Sequence, residues 1–358
     1  MGLPPVKKPT WGRILEEIQS KPTIVPGRPP TPDFDGIRRA KLQRVFGITK
    51  RPLIIYATAC TIPGKAVPFQ ALQLDFSDKL AFTEVTELLE TGSDIDVMLH
   101  SPGGLAEAAE AIVDILRARF KHVRFIIPVL AKSAATMLAL SGDEILLGPD
   151  GELGPTDPQF ITSQGASPAQ AIIDQFEMAR KKIAENQGDV VVWAPILAQM
   201  GPALLAQCQT AIVLSRELVS RWLETYMFKG EPDAHTHAEE VAHFLADHSN
   251  FKSHARGVRL ATLQNLRLKV DAFDTSTPLG QALWELYCAV DITLSNTATV
   301  RLVENHLGHA VLRSHGPPIS LGIELQQAPP PPQAPAPAPR LPSPPSRPPL
   351  PKRRRGKR

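Results

Sequence analysis

Cysteine is scarce. Cys60, Cys208 and Cys288 are the only three in 358 residues, and none stands at the spacing of a metal-ligand pair. A disulfide framework is thereby excluded, and free thiols in a reducing compartment are the expectation. Aromatic residues make up only 6% of the chain, and no stretch approaches the roughly 20 apolar residues needed to span a bilayer. The start, Met1-Gly2-Leu3-Pro4-Pro5-Val6-Lys7-Lys8, has no apolar run after its charges, so a secretory signal is not expected. Val6 stands where myristoylation needs Ser or Thr. A cytoplasmic location follows by elimination. No Gly-x-Gly-x-x-Gly pattern is present, and no metal, nucleotide or organic cofactor is expected.

What is abundant is proline, and its distribution is uneven. Residues 328–358 hold 13 of the 36 prolines and eight positive charges, ending in Lys352-Arg353-Arg354-Arg355-Gly356-Lys357-Arg358 with no acid. This segment cannot bury enough apolar surface to offset the entropy of ordering, and residues 326–358 are read as a disordered tail. Its polyproline stretch is extended, and its basic end could contact acidic partners, nucleic acid or a membrane surface. The formal charge of +3 for the whole chain leaves about −5 outside the tail. The globular part therefore gives no electrostatic reason to bind nucleic acid.

Apolar residues make up 43% of the chain, enough for a sizeable core. Residues 1–50, punctuated by proline, read as a partly ordered arm, and residues 51–325 as the main domain. From Pro52 strands alternate with helices: Leu53 to Ala57, Ile95 to His100, Val123 to Pro128 and Glu144 to Leu147 as strands. Ser77 to Glu90, Leu105 to Phe120 and Ser133 to Leu140 read as helices, the first capped by Ser77. The pattern implies βαβ units and a mostly parallel sheet covered on both faces. Beyond Gly154 the reading is helical, with Ala169 to Glu185, Pro202 to Phe228 and Ala238 to Asp247 as helices.

Two motifs stand at the ends of successive strands, about 30 residues apart. In a parallel sheet those ends share one edge, where loops converge on a site. His100-Ser101-Pro102-Gly103-Gly104 pairs a stiff turn with glycines that let a ligand approach exposed N–H groups, as an oxyanion hole requires. Ala131-Lys132-Ser133-Ala134-Ala135-Thr136-Met137 puts a serine at a strand-to-helix junction, where the helix dipole favours an incipient alkoxide. A serine before alanines is also the commonest kind of helix cap. It is the pair of motifs, in this order, that is specific.

With Asp96-Val97-Met98-Leu99-His100-Ser101-Pro102-Gly103-Gly104 and Leu153-Gly154-Pro155-Thr156-Asp157-Pro158-Gln159 added, the sequence resembles the Clp-fold serine proteases. Within them it resembles the serine dehydrogenase proteinase family, relatives of signal peptide peptidase A. The resemblance covers roughly residues 52–270. It implies a ClpP/crotonase-like fold of repeated ββα and βαβ units with a mostly parallel sheet and a helical C-terminal part. It further implies peptide-bond hydrolysis with Ser133 as nucleophile, and an oxyanion hole of the Gly103 or Gly104 and Ala134 amides. An extended protein or peptide substrate beside the active-site turn and a homo-oligomer are implied as well.

A serine nucleophile needs a base. Clp proteases supply a histidine about 25 residues after the serine, but Gly154 to Gln159 contains none. Relatives of signal peptide peptidase A use a lysine, in some members about 50 residues on, which points to Lys182 and then Lys181. Such a lysine must be desolvated to be neutral near pH 7, whereas Arg180-Lys181-Lys182 as a charge run suits a solvated helix face. Lys132 adjoins the serine, but neighbouring side chains diverge. His235, His237, His243, His248 and His254 match no metal-ligand spacing. His254 lies in a segment similar to one in the family and could line the site; Asp143 and Asp157 are read as ordering loops. Two other readings stay open: a crotonase-like acyl-CoA enzyme, against which Ser133-Ala134-Ala135 counts, and an inactive Clp-fold scaffold lacking a base.

Overall fold

The N-terminal arm is largely helical. Helix α1 (Thr10–Ser20) and helix α2 (Phe34–Thr49) flank a two-residue antiparallel pair, β1 (Pro22–Thr23) with β2 (Thr31–Pro32). The computed structural model describes residues 10–24, 29–162, 165–198, 200–201 and 203–315. The proline-rich tail expected from residue 326 lies outside them.

After the arm, apolar runs and amphipathic segments alternate as strands and helices. They are β3 (Leu53–Thr58), α3 (Phe76–Thr86), β4 (Asp94–His100), α4 (Ala106–Arg119), β5 (His122–Ile127), β6 (Leu130–Ala131), α5 (Ala134–Leu140) and β7 (Glu144–Leu147). Helix α3 begins one residue ahead of the expected Ser77. Asp75 is its cap, accepting from the Ser77 N–H at 2.7 Å, while Asp78 accepts from the Asp75 N–H at 2.9 Å. The pair forms a reciprocal capping box, with Asp78 in the place usual for Glu.

The C-terminal half is not only helical. A run of four helices comprises α6 (Ala169–Glu185), α7 (Val190–Leu197), α8 (Leu204–Trp222) and α9 (Ala234–Ala246). Before them come β8 (Glu152–Leu153) and a hairpin of β9 (Gln159–Thr162) with β10 (Gly165–Pro168). After them come α10 (His248–Phe251), β11 (Val258–Arg259), α11 (Leu260–Asn265), β12 (Val270–Ala272), α12 (Pro278–Asn296), β13 (Thr299–Asn305) and β14 (Ala310–Ser314).

Seven strands form the main sheet in the order β12-β7-β5-β4-β3-β13-β14. The first five run parallel, and β13 and β14 close the sheet antiparallel. Both faces are covered, which is why β3 and β4 read as near-continuous apolar runs. Tyr56, Val97 and Phe125 pack on one side with α3, α4, α5, α8 and α9. Ile55, Met98 and Ile126 pack on the other with α2 and α12. Helix α1 lies against α12 through Ile14, Ile18 and Ile292.

Strand β13 carries two buried charges. Glu304 meets Arg38 of α2 at 2.5 Å, both wholly buried, and Arg301 meets Asp78 at 2.8 Å. Each ion is matched by its partner, as a buried charge requires. The three cysteines are free thiols. Among the described residues, no helix is long and apolar enough to cross a membrane.

A second sheet of three short strands, in the order β11-β8-β6, sits beside the C-terminal edge of the main one. Strand β6 runs parallel to β8, pairing Ala131 with Leu153, and β11 runs antiparallel to β8, pairing Val258 with the same Leu153. The chain leaving β6, the chain leaving β8 and the chain entering β11 therefore lie at one end.

Candidate active site

The glycine turn is fixed by Leu74. The Leu74 N–H donates to Gly103 O at 2.7 Å, and the Leu105 N–H donates to Leu74 O at 2.9 Å. This is a parallel bridge between Leu74 and Gly104, so the N–H and C=O of Gly104 itself face the opposite edge. Both glycines are obligatory. Gly103 has φ +93°, and a Cβ there would lie 2.7 Å from Ser133 Cβ and collide with Lys132 O. Gly104 has φ +155°, and a Cβ there would lie 2.5 Å from Leu74 N. The Gly103 N–H is already used, donating to Ser101 Oγ at 3.2 Å. Among the described residues, the amides of Gly104 and Ala134 have no hydrogen-bond acceptor. Of the two glycines, Gly104 is therefore the one with a free donor.

Ser133 occupies the N-cap position of α5 with φ +51° and ψ −124°, in the region that side chains rarely adopt. The strain is held from three sides. The Lys132 N–H donates to Ser101 O at 3.0 Å, Met137 N–H donates to Ser133 O at 3.0 Å, and Gly103 packs on the Ser133 Cβ. A residue held in such a conformation by its surroundings is typical of functional sites. The side chain makes no cap hydrogen bond, so the capping role available to a serine here is not taken. Its hydroxyl has no hydrogen-bond partner among the described residues.

Asp157 leaves β8 at the same end of the small sheet and is buried. Its Oδ1 lies 2.7 Å from His254 Nδ1 and its Oδ2 lies 3.1 Å from His248 Nδ1. Gln159 Nε2 donates to Oδ2 at 2.8 Å. The loop before it is anchored as well: Gly154 N–H donates to Thr136 Oγ1 on α5 at 2.9 Å, and Thr156 N–H to Leu245 O at 2.8 Å. With Nδ1–H directed at this carboxylate, the neutral form of the His254 ring would carry its lone pair on Nε2.

The other expected residues fall elsewhere. Lys182 is half exposed, with its Nζ 3.4 Å from Glu185 on the same turn of α6. Lys181 is exposed beside it. Neither has the desolvation that a lysine base needs. Lys132 is committed to Glu152 Oε1 at 2.6 Å and Leu153 O at 3.1 Å. Asp143 does order a loop, accepting from Arg117 at 2.7 Å and from the Val123 N–H at 2.8 Å. Asp157, read from the sequence as another loop residue, instead gathers two histidines. His235 pairs with Glu224, and His237 stacks on Phe228.

On the far face of the turn, His100 is buried against Tyr287, with its Nε2 3.1 Å from Thr61 Oγ1. Burial holds its imidazole neutral, down at about 4.

A serine in strained conformation at a strand-to-helix junction, flanked by a Gly-Gly turn, thus stands at the edge of a mostly parallel sheet on a Clp-like fold. The chain belongs to the ClpP-like SDH-type serine proteinase family, whose model matches residues 69–287. Two curated relatives come from Methanocaldococcus jannaschii, both uncharacterized proteins. MJ0137 is 38% identical over 93 residues, 26% of this chain and 31% of the relative. MJ1495 is 35% identical over 92 residues, 26% of this chain and 30% of the relative. The matched part spans under a third of the length of either relative.

Proposed function

We propose that this chain is a serine endopeptidase in which Ser133 is the nucleophile and His254, oriented by Asp157, is the base. The observation that carries this reading is the convergence of three segments at one end of the β11-β8-β6 sheet. One delivers Ser133, one Asp157, and one His254 already bonded to Asp157. The Ser133 proton passes to His254 Nε2 as Oγ bonds to the substrate carbonyl carbon. The resulting oxyanion is held by the N–H groups of Gly104 and Ala134, the second an orphan donor of the first turn of α5. Collapse expels the amine, which takes the proton from His254, and water then releases the acyl group by the same steps in turn. The Ser133 hydroxyl has no partner among the described residues, and substrate binding would bring it onto His254 Nε2.

The open edge of Gly104 suits an extended peptide, which would add there as a strand. A protein or peptide substrate and a homo-oligomeric assembly accord with the family. The basic tail would contact acidic partners, nucleic acid or a membrane surface.

The test is labelling with a fluorophosphonate, with cleavage of labelled casein alongside it. Wild type is expected to do both, and Ser133→Ala neither. His254→Gln should lose at least about 100-fold in rate, while Lys181→Met and Lys182→Met stay near wild type. Undiminished cleavage by Ser133→Ala would refute the nucleophile. Loss in Lys182→Met with retention in His254→Gln would restore a Ser–Lys dyad. A second reading, an inactive scaffold, is favoured by the unpartnered hydroxyl, and absence of labelling in the wild type would establish it.

A further inference from the structure

Within the turn, Gly103 N–H rests on Ser101 Oγ at 3.2 Å. From outside it, the Gly103–Gly104 backbone is bridged by Leu74, on a segment without regular structure between Leu72 and α3. What holds that segment is Arg301, from the far strand β13.

Arg301 is 2% exposed, and its guanidinium is used almost completely. Nη1 donates to both Asp78 oxygens at 2.8 Å and to Ser77 Oγ at 3.3 Å. Nη2 donates to Ala71 O at 3.0 Å, to Gln73 O, and to Asp75 Oδ2 at 3.1 Å. The acceptors flank Leu74 on both sides, Gln73 just before it and Asp75 just after it. Tyr56 completes the cluster, donating to Asp78 Oδ2 at 3.0 Å. A charge this deeply buried needs its counter-charge, and Asp78 supplies it. Asp78 alone would meet that need, so charge balance does not account for the two backbone carbonyls. Those fix the path of the chain at Leu74, and only a planar fork can grip them together with a carboxylate.

We infer that Arg301 is a positioning residue for the oxyanion turn, acting through Leu74 on Gly103 and Gly104. The inference rests on the serine-hydrolase reading and assigns a remote residue to it. Release of the Ala71 to Asp75 segment lets Gly104 drift from Ser133, and a displacement near 1 Å at such a site costs on the order of 100-fold in rate.

The experiment is the kinetics of fluorophosphonate labelling, since phosphonylation of Ser133 loads the same donors that hold the oxyanion. Arg301→Lys keeps the charge for Asp78 but loses the fork. It is expected to label to the same final stoichiometry as wild type, with kinact reduced about 10- to 100-fold and KI changed less than about threefold. Arg301→Lys with lower stoichiometry but unchanged kinact would make the role structural only and overturn the inference. Should Arg301→Lys fail to fold, Asp75→Asn removes one outer contact of the guanidinium. It should lower kinact in the same direction by a smaller factor, and an unchanged kinact overturns the inference equally. Wild type that does not label, or Ser133→Ala that does, defeats the hydrolase reading itself, an outcome distinct from normal labelling with an unresponsive Arg301 variant.

Discussion

Asp157 holds a histidine at each of its carboxylate oxygens, His254 at 2.7 Å and His248 at 3.1 Å. The shorter contact belongs to the histidine that enters β11, the strand paired with β8. Asp157→Asn would lose the acceptor that fixes the His254 tautomer, and the rate of casein cleavage should fall about 10²- to 10⁴-fold. His248→Gln retains a hydrogen-bonding side chain beside Oδ2 and should cost less than about tenfold. Equal losses in the two histidine variants would contradict the division of labour between them.

Ser133 is in a conformation that glycine adopts freely. Ser133→Gly should therefore raise stability by roughly 1 kcal/mol while abolishing labelling. Urea denaturation of the two proteins measures the difference. A variant less stable than wild type would show that the hydroxyl contributes more than the strain costs.

Gly103 leaves no room for a side chain. Gly103→Ala would drive its Cβ to 2.7 Å from Ser133 Cβ and force φ away from +93°. Phosphonate labelling should drop at least about 100-fold even where circular dichroism shows the sheet retained. Near-normal labelling would mean that the turn tolerates displacement, and the role given to its amides would be lost.

His100 makes acid stability predictable in sign. Its folded value is about 4, against about 6.5 in an unfolded chain. Between those values the unfolded state binds more protons. Its contribution to stability is complete above about pH 6.5, declines as pH falls, and levels off below about pH 4. The full span is on the order of 3 kcal/mol. Urea midpoints at pH 7 and pH 5 should differ more for wild type than for His100→Gln. Identical differences would refute the burial argument.

The strands at the centre of the sheet were legible because burial on both faces turns them into apolar runs. Strand β13 was not. Arg301 and Glu304 interrupt Thr299-Val300-Arg301-Leu302-Val303-Glu304-Asn305, and their partners Asp78 and Arg38 lie more than 200 residues away in sequence. Nothing local marks those charges as buried. The serine and glycine motifs could be read because each is contiguous and follows a strand. The His254–Asp157 pair could not, since its members are 97 residues apart and are brought together by strands of two residues each. Strands that short carry no periodicity. The lysine spacing was real but landed on the solvent face of α6, where Glu185 answers the charge.

The small β11-β8-β6 sheet also has a temporal meaning. Its middle strand joins a serine delivered early in the chain to a histidine delivered more than a hundred residues later. With His254 as the base, a growing chain is unarmed until residue 254 and the strand after it have emerged and docked. Strands β3, β4, β5 and β7 of the main sheet are made by then, while β12, β13 and β14 follow. A newborn molecule thus passes through the making of its serine and its glycine turn without the means to cut itself or its neighbours, and Arg301, on which that turn rests, arrives later still.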